Sequence, residues 1–139
     1  MMSRAVFAIL GLLAFCAGCS GNPESPPATP ETISEVFGGH LGLQGATSFS
    51  FNVNKAGSVS VTLASVVLSR PGPTTTAALT VGLGAPADGV CSARSSVTTS
   101  SGLTAQLSMS LDAGAGCVNI SDVGNLTAPV DFTVRVVHP

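Results

Sequence analysis

Apolar side chains recur at every second position through most of the chain. Phe49, Phe51 and Val53 alternate with Ser50, Asn52 and Asn54, and Lys55-Ala56-Gly57 then turns the chain. Val59, Val61 and Leu63 alternate with Ser58, Ser60 and Thr62, and Leu79, Val81 and Leu83 repeat the pattern after the breaker Arg70-Pro71-Gly72-Pro73. Leu103, Ala105, Leu107 and Met109 do so again, followed by Val118 and Ile120, and by Phe132, Val134 and Val136. A period of two places alternate side chains on opposite faces of a strand. Short alternating runs about ten residues apart, separated by Gly, Pro, Asn and Asp, predict an antiparallel β-sandwich of about seven to nine strands.

No stretch combines a helix-length apolar face with caps at both ends, and the β-branched and small residues favour pleated structure. One face of each predicted sheet is apolar and the other carries hydroxyls, as antiparallel sheets permit. Gly114-Ala115-Gly116 and Gly124-Asn125 supply turns. The run Ser95 to Ser101 reads as a loop or ragged strand. Residues 33–139 suffice for one domain.

The N-terminal region has a different pattern. Arg4 precedes an apolar run from Ala5 to Ala17 that ends in Gly18, Cys19 and Ser20. This is the layout of a secretory signal peptide over residues 1–18, and the run is shorter than the 20 or so residues that span a bilayer. Cys16-Ala17-Gly18-Cys19 resembles the bacterial lipobox, departing from it at Cys16, where a branched aliphatic residue is usual. The resemblance implies that Cys19 is lipidated and anchors the mature chain to a membrane; the alternative is ordinary cleavage nearby, with Cys19 a plain thiol. Ser20 after the cysteine resembles the outer-membrane sorting pattern of hosts with two membranes. Pro23, Pro26, Pro27 and Pro30 then make residues 19–32 an extended tether.

Without Arg4, four basic residues (Lys55, Arg70, Arg94 and Arg135) face seven acids, for a net charge of −3. No basic stripe is present, so nucleic acid is not an expected partner. Outside the cytoplasm Cys91 and Cys117, the pair left in the domain, are expected to form a disulfide. No histidine or further cysteine stands at ligand spacing from them, so no metal or other cofactor is expected there.

Phe37-Gly38-Gly39-His40-Leu41, Phe49-Ser50-Phe51-Asn52-Val53 and Ala56-Gly57-Ser58-Val59-Ser60-Val61-Thr62-Leu63 together resemble bacterial pre-peptidase C-terminal domains. That family shows a Phe-Gly first strand, a Phe-rich second and a Gly-led Val/Thr third. Gly116 to Asp122 and Pro129 to Val137 are similar to its late strands, whereas Ala77 to Leu83 departs from the Asp-Leu-Asp-Leu-like strand the family often has. The resemblance implies a jelly-roll-like sandwich that accompanies secreted peptidases and has no catalysis of its own.

Candidate chemistry is sparse. Serines are many and His40 and His138 exist, but no Gly-x-Ser-x-Gly elbow accompanies them, and a triad is recognised by geometry rather than count. His40 is expected at a strand edge and His138 at the solvent-exposed end of the last strand. The acids sit singly beside turn signals, as Asp88 does with Gly89, and do not form the pair a glycosidase needs. Asp122 and Asn125 are candidate calcium ligands in Ser-Asp-Val-Gly-Asn, weighed against an Asx turn, which needs one carboxylate and no ion. The domain has no Trp or Tyr, and three of its phenylalanines, Phe49, Phe51 and Phe132, fall on core-facing alternation. A sugar site would therefore lack a stacking platform. Asn119-Ile120-Ser121 and Asn125-Leu126-Thr127 match the glycosylation sequon, a coincidence of composition behind a bacterial leader.

These readings predict a non-enzymatic cell-envelope lipoprotein whose tethered sandwich meets an envelope protein or plays a structural part. The alternative is a weak binder of envelope glycan. A long unprotected edge strand favours the first, and a polar groove with converging Asn, Gln or Asp favours the second.

Overall fold

The computed structural model describes residues 25–70 and 75–139. The predicted signal peptide, the Cys16-Ala17-Gly18-Cys19 motif and the first part of the tether lie outside the described residues. Residues 25–32 are exposed and form neither helix nor strand.

Eight strands follow: β1 (Ile33–Leu41), β2 (Ala46–Val53), β3 (Gly57–Leu68), β4 (Leu79–Ala87), β5 (Val90–Thr99), β6 (Leu107–Leu111), β7 (Gly114–Ser121) and β8 (Val130–His138). They form two four-stranded antiparallel sheets, ordered β1-β8-β3-β6 and β2-β7-β4-β5. First pairs with last, second with seventh, third with sixth and fourth with fifth. The chain is thus one long hairpin rolled up from its tip, the order of a jelly roll. The tip is Asp88-Gly89, with φ of 52° and 78°, and positive φ at both central residues matches the twist of the flanking strands.

The alternation places Val59, Val61 and Leu63 of β3 and Phe132, Val134 and Val136 of β8 on one inner face. Phe51, Val53, Leu79, Val81, Leu83, Val118 and Ile120 lie on the other, and all are buried in one cluster. Phe49 packs against that cluster while only partly buried.

Three expectations need correction. Of the two readings of the Ser95 to Ser101 run, the loop gives way to the strand: Ser95 to Thr99 is regular strand within β5, with Ser95, Val97 and Thr99 turned inward and Ser96 and Thr98 outward. An edge strand buries little, so its sequence carries little apolar signal. Leu103 to Ala105 is loop, and Leu103 is 94% exposed. Here the loop joins β3 at separate points: Gly102 N donates to Leu63 O, Gln106 N donates to Val61 O, and the Gln106 amide oxygen accepts from Leu63 N at 2.8 Å. Leu63 is where the β3 register with β8 shifts, so a side chain replaces the ladder that a longer β6 would have supplied. Finally, His138 ends β8 but is 1% exposed. It continues the inward series Phe132, Val134, Val136, and pairing with Ile33 keeps it under β1.

The Cys91–Cys117 disulfide forms. β4 lies between β5 and β7 in the sheet, so the bridge crosses β4. The crossing depends on glycine. A Cβ on Gly84 would collide with the Ser92 carbonyl oxygen and approach Ala93 Cα to 2.9 Å, and one on Gly82 would meet Ala93 Cβ at 2.9 Å. Arg94 is the extra residue of a bulge at this point, which bends the start of β5 over the outer face of its own sheet.

Candidate functional site

At one end of the sandwich β1, β8 and the end of β3 converge. His40 lies directly across from Asp131, which is in turn across from Val67. The His40 ring Nδ1 is 3.0 Å from Asp131 Oδ1 and 3.0 Å from Ser69 Oγ. His40 and Ser69, with Arg70, border an open cavity of about 630 Å³ whose other walls include Thr127 and Pro129.

A serine, a histidine and an aspartate therefore meet, but both partners address the same ring nitrogen. A hydrolytic triad needs the carboxylate on Nδ1 and the serine on Nε2, so that the ring can accept the serine proton while the carboxylate orients it. One nitrogen cannot hold a proton toward Asp131 and take one from Ser69. The His40 and Asp131 side chains are also 60% and 53% exposed, so their contact sits in water. This cluster ties strand ends together and lacks the geometry of a hydrolytic triad.

His138 occupies the opposite end of β8. Its Nε2 is 2.9 Å from Glu35 Oε1, and its ring stacks on Phe51 at 5.3 Å between centroids. Glu35 belongs to the inward row of β1, and pairing with His138 satisfies both polar groups.

The loop after β7 holds Asp122. Its Oδ1 accepts from the backbone N–H groups of Gly124, Asn125 and Leu126, and its Oδ2 accepts from Gln44 N at 2.8 Å. The Gln44 N–H first, then those of Gly124, Leu126 and Asn125, hold the carboxyl below its ordinary range. Asn125 reaches Asp122 through its backbone N–H. The arrangement is an extended Asx turn that also holds Gln44 at φ 55°, and every donor it directs at the carboxylate opposes a cation there. Among the described residues no group of three or more His, Cys, Asp or Glu could hold a metal ion.

The remaining feature of note is an edge. β1 pairs with β8 from Ile33 to Leu41 without a register shift, and among the described residues no strand pairs with its other side. It contains no proline, lysine or arginine, and its one acid, Glu35, is turned inward. β2 forms the edge of the facing sheet on the same side. Between these edges the Phe37 and Phe49 rings stack at 5.1 Å, and both are only half-buried. Val36, on the outer face of β1, is 64% exposed. Sequence pattern alone missed this edge, because Glu35 and Gly39 interrupt the apolar period of β1; the Phe-Gly motif was its one signal.

No family model matches the chain, and no curated protein matches it. Among solved structures it is similar to the Yersinia pseudotuberculosis-derived mitogen, with 8% identity, a TM-score of 0.50, and coverage of 78% of this chain and 88% of that one. At that identity the likeness concerns the fold alone.

Proposed function

We propose that the chain is an exported lipoprotein, anchored through Cys19 and displayed on an extended tether, whose sandwich is a non-catalytic interaction module that receives a partner strand along β1. The observation that carries this reading is the unguarded β1 edge. Natural sheets blunt exposed edges with lysine, proline, bulges or very short strands, because free N–H and C=O groups template pairing. β1 has none of these over nine residues, its one inward-pointing charge, Glu35, is taken up by His138, and the half-buried Phe37 and Phe49 beside it offer apolar surface to a strand that docks. Such augmentation draws affinity from main-chain hydrogen bonds and specificity from alternate side chains. The pre-peptidase resemblance is compatible with an accessory role of this kind.

The test is site-directed cross-linking in the intact envelope. Val36→Cys is expected to give a discrete protein adduct with a thiol-reactive bifunctional reagent, whereas Ser110→Cys on β6 is expected to give none. Equal labelling from both positions, or none from Val36, refutes the edge reading. Retention on envelope glycan that no β1 substitution alters favours the glycan-binding alternative.

A further inference from the structure

The β1 edge is also complementary to itself, and we infer that its occupant is a second copy of this chain, paired antiparallel about a two-fold axis through Phe37. This rests on the reading of β1 as a receiving edge and names the partner.

In an antiparallel pair, opposite residues lie on the same face of the sheet and their numbers sum to a constant. Centring on Phe37 engages the whole of Ile33–Leu41 in both copies. On the inner face Ile33 then meets Leu41 of the second copy, Glu35 meets Gly39, and Phe37 meets itself. On the outer face Ser34 meets His40, and Val36 meets Gly38. No like charges oppose one another, and each Glu35 stands beside a glycine while holding its own His138. The symmetry is isologous, the commonest way for two identical chains to associate. It continues the β1-β8-β3-β6 sheet across the axis and brings the two Phe37–Phe49 stacks together.

The burial pattern says why β1 gains from this. Its inward side chains Ile33, Glu35, Phe37 and Gly39 are all half-buried, so the last row of the core is incomplete along this strand. The two remaining edges on the far side are closed by other means. β5 carries Arg94 in a bulge and is bent over by its disulfide, and β6 is five residues long.

The tether fits the same arrangement. The two copies of Ile33 fall at opposite ends of the paired strands, roughly 30 Å apart at about 3.4 Å per residue. An axis along the membrane normal keeps them at equal height, and an extended tether at about 3.1 Å per residue lets both reach one surface. The contact, on the order of 1,000 Å² in total, lies at the weak end of specific interfaces.

The full chain in its native envelope provides the test. In Val36→Cys/Gly38→Cys each new cysteine opposes its counterpart across the axis, at the Cβ separation of about 4.5 to 5.5 Å typical of facing strands, which a disulfide reaches at the lower end and a short thiol-to-thiol linker, run in parallel, reaches throughout. Mild oxidation is expected to give a species of twice the chain mass, and Ser108→Cys/Ser110→Cys on β6 is expected to stay monomeric. In detergent, Val36→Glu/Gly38→Glu opposes like charges twice across the axis and is expected to weaken self-association about tenfold. Within one copy the carboxylate introduced at position 36 faces Arg135, and Val36→Thr/Gly38→Ala serves as the uncharged control. If β1 yields an adduct whose mass is not twice that of the chain, the second copy is overturned and the receiving edge survives. If β1 yields none, or no more than β6, both fall.

Discussion

Replacing Cys91 and Cys117 together by alanine is expected to destabilise the domain by about 3.5 to 4.5 kcal/mol. The bridge closes a loop with a sequence separation of 26. For a loop of that length the chain-entropy relation gives an unfolded-state term of about 12 cal/mol/K, or roughly 3.5 kcal/mol at 25 °C. Cys117 is 1% exposed under the start of β5, so losing its sulfur adds a packing term of at most about 1 kcal/mol. Urea unfolding of three species separates these contributions. The oxidised protein and the double variant differ by both terms, whereas the reduced wild type and the double variant differ by packing alone. The reduced protein should therefore lie within about 1 kcal/mol of the variant and well below the oxidised one. A total below about 1 kcal/mol refutes the entropic account, and two free thiols titrating in the denatured, unreduced chain refute the bridge itself.

Gly84→Ala is expected to cost about 2 kcal/mol or more, because the new Cβ meets main-chain atoms of Ser92 and Ala93 that cannot rotate away; thermal unfolding reads this directly. Gln106→Ala leaves the partly buried Leu63 N–H without its side-chain acceptor and is expected to cost about 1 to 3 kcal/mol in the same assay. Asp122 has a folded pKa below its ordinary 3.8, so its contribution is fully present above that value and lost as pH falls through the lower folded value. Asp122→Ala should be less stable than wild type at neutral pH, with the gap narrowing in strong acid, and added calcium should leave the wild-type unfolding midpoint unchanged. His138→Ala, which empties a buried site and strands Glu35, is expected to cost about 2 to 4 kcal/mol, whereas His40→Ala at an exposed contact should cost less than about 1 kcal/mol.

Legibility in the sequence followed burial. β2, β3, β4, β7 and β8 carry the buried rows of the core, and their alternation is readable from Phe49 to Val136. β5 was hard to read because an edge strand packs on one neighbour and tolerates hydroxyls where a central strand needs valine, and β6 was begun too early because Leu103 and Ala105 carry its apolar period back into an exposed loop. His138 is instructive in another way. Its parity with Phe132, Val134 and Val136 pointed inward, but a polar residue beside the C-terminal Pro139 suggested solvent. What buries it is a partner 103 residues away, Glu35, and long-range pairing of that kind leaves no local trace. The Asp122 loop showed its turn chemistry in sequence, but not that the fourth donor, Gln44, comes from the β1–β2 connection.

A two-sheet sandwich has four edges, and this one treats them unequally. On the β5/β6 side, a bulge with Arg94, a disulfide and a five-residue strand all work against further pairing. On the β1/β2 side, no Lys, Arg, Asp or Glu points outward from either strand, and two phenylalanine rings stay half-covered. If avoidance of aggregation alone had shaped this surface, a lysine at Val36 would guard β1 at little cost to the core, since that side chain is 64% exposed. The chain instead has valine there and glycine two residues on, which leaves its backbone reachable. Closing one side and opening the other is what a module needs if it is to join a partner in one orientation and stop there.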